Sequence, residues 1–142
     1  MENKMKVEFL NKSNNERFAR TVASAFVVSM DPTVKEISEI KTAVSEAVTN
    51  AIIHGYKDKE GTVIMEGSIE GDEVEFIISD NGMGIDDVKK AMEPMYTGAP
   101  ESERSGMGFT IMETFMDSLM VESALGKGTK VIMRKKIEQV SP

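Results

Sequence analysis

Residues Thr62 to Ile69 and Glu73 to Ser79 are two apolar runs of strand length separated only by Glu70-Gly71-Asp72, and Leu119 to Ser123 and Thr129 to Lys135 repeat the arrangement around Leu125-Gly126-Lys127-Gly128. So short a glycine-bearing connection permits only an antiparallel hairpin, because a parallel pair needs a crossover of about a dozen residues or more. Two hairpins therefore set most of a sheet. A further strand, Lys6 to Leu10, is brief and flanked by charge, which suits a sheet edge.

Between that strand and the first hairpin the apolar period becomes helical. Ser13 with Glu16 reads as a capping box opening a helix whose Phe18, Val22, Ala25, Phe26 and Met30 form an apolar stripe. Asp31-Pro32-Thr33 breaks the chain, and Thr33 with Glu36 opens a longer helix running to Gly55, with Ile37, Ile40, Val44, Ala47, Val48, Ala51 and Ile52 on its core face. Asp86 to Met92 reads as one or two helical turns. A last helix, from about Phe109 to Asp117, carries apolar Ile111, Met112, Phe115 and Met116. Amphipathic helices need an apolar sheet face to cover, so the expected fold class is α/β, a two-layer sandwich with a mixed, mainly antiparallel sheet and helices on one face. At 142 residues the chain is expected to form one domain, residues 1–142, with 137–142 a frayed tail.

Composition narrows the function. A formal net charge of −7 with scattered Lys and Arg argues against direct nucleic-acid binding, which rests on clustered cations at phosphates. The absence of cysteine excludes disulfides, thiolate metal sites and thiol catalysis. No apolar run reaches the ~20 residues of a membrane helix and no signal pattern is present, so no membrane association and a cytoplasmic location are expected.

The residues that invite chemistry lie in four places. On the long helix Glu46 and Asn50 project one turn apart, nearly opposite the core stripe, beside small apolar residues. The strand Phe76 to Ser79 ends in Asp80-Asn81-Gly82-Met83-Gly84, delivering a carboxylate to a stretch where a ligand can approach the main chain. Met95 to Arg104 is a long loop without periodicity, of the kind that is functional or disordered, ending in Arg104-Ser105-Gly106-Met107-Gly108 before a helix. Gly126-Lys127-Gly128-Thr129 opens the last strand. Each feature alone is more often ordinary: an Asp-Gly turn, an exposed helix pair, a hairpin loop.

In this order and these contexts, the four resemble the N box and three glycine boxes of the GHKL superfamily of ATPases and kinases, which includes gyrase and histidine kinases. Glu46 through Tyr56, Glu103 through Glu113 and Asp31-Pro32-Thr33 narrow the resemblance to the sporulation anti-sigma factors of that superfamily. The resemblance implies the Bergerat ATP-binding fold, ATP/ADP and Mg²⁺ as cofactors, Glu46 as catalytic base and Asn50 as Mg²⁺ ligand. It implies Asp80 on the adenine amino group, with Gly82 and Gly84 lining that site and Thr129 adding a hydroxyl. It makes Ser105, Gly106, Met107 and Gly108 a phosphate loop. Relatives carry a lid lysine where this chain has Gly98-Ala99-Pro100, so Arg104 becomes the candidate for the γ-phosphate.

The implied partners are sigma factor F, an anti-anti-sigma factor phosphorylated on serine, and a second copy in a homodimer. Arg20 on the first helix is the candidate partner contact. The same motifs fit a nucleotide-gated binding module without transfer, or a stress-type anti-sigma kinase. A histidine kinase core needs a phosphoacceptor histidine on a dimerising hairpin, whereas the sole histidine, His54, lies inside the nucleotide helix and is read as structural.

Overall fold

The fold is described from a computed structural model, for residues 2–56, 59–85, 87–92 and 108–138. Strands β1 (Glu2–Leu10), β2 (Thr62–Glu70), β3 (Glu73–Asp80), β4 (Ser118–Ser123) and β5 (Thr129–Lys136) form one sheet in the order β1-β2-β3-β5-β4. Every pairing among them is antiparallel. Among the described residues the α-helices are α1 (Asn15–Val27), α2 (Val34–Asn50), a short α3 (Val88–Ala91) and α4 (Gly108–Phe115), and the helices lie on one side of the sheet. The expected two-layer α/β arrangement is present, with β1 on the edge. β1 is longer than Lys6 to Leu10 because Glu2 to Met5 continue the ladder against Gly67 to Glu70.

Alternation along β2 and β3 buries Val63, Met65, Ile69, Val74, Phe76 and Ile78 beneath the helices. Gly67 stands in this face where a Cβ would meet Met5 Cε at 2.8 Å and Phe26 Cε2 at 2.9 Å, so its missing side chain admits Phe26, which packs edge-to-face on Phe76 with ring centroids 6.2 Å apart.

The stripe on α1 differs from the one the spacing predicts. Ala19, Ala23, Val27 and Met30 are the buried residues, Val22 and Phe26 sit at the margin, and Ala25 is exposed. Two alanines let α1 approach α2 closely, which rotates the helix so that Phe18 is 47% exposed and rests on Phe9 instead (centroids 6.1 Å). The Ser13–Glu16 capping box is also absent. Asn14, at the cap position, already has helical dihedrals, and Glu16 instead pairs with Arg20 at 3.3 Å.

At α2 the expected box forms: Glu36 N donates to Thr33 Oγ1 (3.1 Å) and Thr33 N to Glu36 Oε1 (2.8 Å). Thr33→Ala should therefore cost about 1 kcal/mol in chemical denaturation. The other Glu36 oxygen accepts Glu138 N (3.0 Å), and Ile137 is buried with its N–H on Asp72 O (2.8 Å). The expected fraying from residue 137 is thus corrected: apolar burial and two main-chain bonds hold Ile137 and Glu138, and residues 139–142 lie outside the described ones. Lys135 is buried on β5, where its ammonium reaches Phe115 O (2.8 Å) at the end of α4 and Glu39 (3.4 Å) on α2. No helix among the described residues is long and apolar enough to cross a membrane.

Candidate functional site

The site is assembled around the C-terminal half of α2. Past Asn50 the helix widens into a π-helical turn, Ala51–Gly55, rather than continuing as one α-helix to Gly55. That turn brings Gly55 onto the end of β3. A Cβ on Gly55 would lie 2.9 Å from Asp80 Cγ, and one on Gly82 would lie 1.7 Å from Gly55 O. Only glycine permits so close an approach of two main chains. The contact is closed by Met83 N donating to Gly55 O (2.6 Å).

Asp80 is 7% exposed. Its Oδ1 accepts Gly82 N (2.9 Å), and the N–H of Thr129 supports it as well. Burial raises its pKa above the ordinary carboxyl value, and these two main-chain donors offset part of that rise. Thr129 faces Asp80 across the β3–β5 ladder, and on its other side it faces Ser123 of β4. Gly128, just before it, has φ +78° and lies against the Asp80 carbonyl, where a Cβ would come within 2.2 Å. Gly84 presses on the same hairpin at Ala124 O, and Gly126 N donates to Met83 O (2.6 Å). The second and fourth sequence features are therefore one tertiary unit.

The first and third meet at the other end of the site. Gly108 opens α4, and a Cβ there would lie 3.1 Å from Asn50 Nδ2 and 3.3 Å from Glu46 Oε2. Glu46 is 6% exposed despite standing off the expected core stripe, because α4 covers that face of α2. Arg104, Ser105, Gly106 and Met107, with the loop containing Ala99, lie outside the described residues, as does the side chain of His54. Arg20 is placed on α1 against Glu16, apart from this cluster's hydrogen bonds.

Three residues escaped the sequence reading. Gly55 is one, although it ends the very helix that carries Glu46. Tyr56 is another: its hydroxyl donates to Thr62 O and accepts Asn81 N, both at 2.7 Å, fixing the residue after Asp80. Ser123 bonds Ile85 N, Gly128 O and Thr129 Oγ1. A glycine and tyrosine directly after a helix could have signalled the first two. Ser123 carries no local signal, since its role depends on strand register.

One site thus holds a buried carboxylate beside a hydroxyl at one end, and at the other a carboxylate and a carboxamide against the start of a helix, where free N–H groups attract anions. Residues 10–135 match the family model of the histidine kinase-like ATPase domain. An anti-sigma F factor of Clostridium kluyveri is 59% identical over 140 residues, covering 99% of each chain. One from Clostridium perfringens is 61% identical over 138 residues, covering 96% of this chain and 99% of its own. Among solved structures, that of the RsbU and RsbW domains of Rv1364c from Mycobacterium tuberculosis superposes with a TM-score of 0.72 at 17% identity, covering 98% of this chain and 34% of that one. The catalytic domain of histidine kinase ThkA gives 0.58 at 16% identity, covering 94% and 96%. These two share the fold. With relatives of such identity along nearly its whole length, the chain belongs to the anti-sigma F factor family of histidine kinase-like ATPase domains.

Proposed function

We propose that this chain is an ATP-dependent protein-serine kinase that, with ATP bound, also holds sigma factor F away from transcription. Its kinase substrate is the anti-anti-sigma factor, phosphorylated on a serine, and ADP remains. The reading rests above all on the meeting of Glu46 and Asn50 at Gly108, which puts a carboxylate and a neutral oxygen beside a helix start.

Asp80 accepts from the amino group of adenine, and the start of α4 receives phosphate oxygens through free N–H groups. Among the described residues no three His, Cys, Asp or Glu side chains cluster as a cation cage. The donor set fits Mg²⁺, which takes one or two protein oxygens and completes its shell with phosphate and water, and Asn50 offers such an oxygen. When bound, that ion supplies neutralisation of phosphate charge. Glu46 orients the attacking serine hydroxyl and takes its proton. Phosphoryl transfer demands mainly positioning and charge stabilisation, which so few residues can supply. The protein works in the cytoplasm as a homodimer, with Arg20 at the partner surface.

Incubation with γ-labelled ATP and the purified anti-anti-sigma factor tests the proposal. Label is expected on a serine of that partner, and retention of sigma factor F is expected in ATP and not in ADP. ATP binding and sigma retention without label would leave a nucleotide-gated binding module in place of the kinase.

A further inference from the structure

Ser123 is saturated. Its oxygen accepts Ile85 N (2.8 Å), its hydroxyl donates to Gly128 O (2.7 Å), and Thr129 Oγ1 lies 2.9 Å away. A serine hydroxyl has one proton and two acceptor lone pairs. A carbonyl oxygen can only accept, so the proton of Ser123 is committed to Gly128 O. The bond between the two hydroxyls can then run only one way, with Thr129 donating to Ser123. Thr129 thereby spends its own proton inside the protein and turns only lone pairs outward.

Register makes this matter. Asp80, Thr129 and Ser123 are directly opposed on β3, β5 and β4, so they form one polar row on the helix-covered face of the sheet. Gly55 and Gly82 close over the carboxylate end of the row. Asp80 and Thr129 then present acceptors side by side, and the direction of the Thr129 hydroxyl is set by a residue two strands away from the carboxylate.

We propose that Ser123 is a specificity-determining residue: by locking Thr129 as an acceptor, it makes the base site accept purines with a 6-amino donor and reject those with a 6-oxo acceptor. This inference rests on the proposed adenine contact of Asp80. A 6-oxo purine placed there turns its O6 toward acceptors, with no donor able to rotate toward that oxygen, and the N1–H it carries in place of the adenine N1 lone pair does not remove the clash at O6. In Ser123→Ala the Thr129 proton is released and can turn to the base, so discrimination falls although only one hydroxyl has been removed.

The test is equilibrium binding of ATP and of inosine triphosphate, which differ in the group at position 6 and in the proton that the 6-oxo base carries on N1, measured by competition against a fluorescent nucleotide. For the unaltered protein ATP is preferred. In Ser123→Ala the preference should shrink on the order of tenfold, the scale of one hydrogen bond between opposed and matched polarity, with ATP affinity changing only a few-fold. Ser123→Thr, which keeps the hydroxyl, should restore the preference. Thr129→Ala should make the ratio insensitive to Ser123, because the coupled group is gone. An unchanged ratio in Ser123→Ala, or equal weakening of both nucleotides, overturns the inference and leaves the proposed function standing. Failure of the unaltered protein to prefer ATP overturns both.

Discussion

Glu46→Gln is expected to reduce phosphoryl transfer by roughly 10²- to 10⁴-fold while leaving ATP affinity within about threefold of the unaltered protein, the scale at which a positioned general base acts. Glutamine keeps the shape of the side chain against Gly108, whose Cβ position lies 3.3 Å from Glu46 Oε2, so α4 should stay seated on α2. What is lost is the ability to take a proton. Single-turnover transfer to the partner, measured beside nucleotide titration, separates the two quantities. Equal losses in binding and transfer would show Glu46 to be a nucleotide ligand and not a base. In the proposed cycle sigma retention needs bound ATP and no chemistry, so the variant should hold its sigma factor longer than the unaltered protein does once the antagonist is added.

Asp80→Asn should act at the opposite end of the site, weakening ATP binding on the order of 100-fold. Asp80 Oδ1 already accepts Gly82 N at 2.9 Å. An asparagine has one oxygen to offer the two main-chain donors Gly82 N and Thr129 N, and its NH₂ replaces the other carboxylate oxygen, so a donor meets the adenine amino group. Saturating ATP should rescue much of the transfer rate, in contrast to Glu46→Gln. Stability should move the other way. With its pKa raised by burial, the folded protein holds the Asp80 proton to a higher pH than the unfolded chain does. Its contribution is therefore present below the ordinary carboxyl range and lost as pH rises through the folded value, above which a desolvated charge is left. Asparagine cannot ionise, so above that folded value the nucleotide-free variant should melt no lower than the unaltered protein, and its stability should fall less as pH rises from the ordinary carboxyl range through it. A lower melting temperature above that value would mean that the carboxylate holds the fold together rather than serving a ligand.

Both variants probe residues that could be named from the chain alone, and the reasons differ. Asp80 stands where an apolar strand stops at two glycines, a local pattern with a local cause. Glu46 and Asn50 were legible as a second helix face, but a helix period cannot say whether that face meets water or another helix. Here it meets α4, and Glu46 is buried as a result. The Thr33–Glu36 cap was readable because both partners lie within one turn. The Ser13–Glu16 cap has the same spacing and does not form, because the chain enters α1 already helical at Asn14 and Glu16 is taken by Arg20. Likewise the α1 stripe shifted toward Ala19 and Ala23, since the closeness of a helix pair depends on which small residues face each other.

Turn chemistry and apolar period act over a few residues, so the two hairpins, a mainly antiparallel sheet, the helical layer and the order of the polar motifs could be read along the chain. Which motifs become neighbours is a property of the closed fold. Gly55 against Asp80 and Gly82, Gly108 against Glu46 and Asn50, and the row Asp80, Thr129 and Ser123 are contacts between segments far apart in the chain. No local pattern encodes them. They follow from strand register and helix packing, which are set by how the whole core closes, and that closure also decides the direction of a single hydroxyl proton.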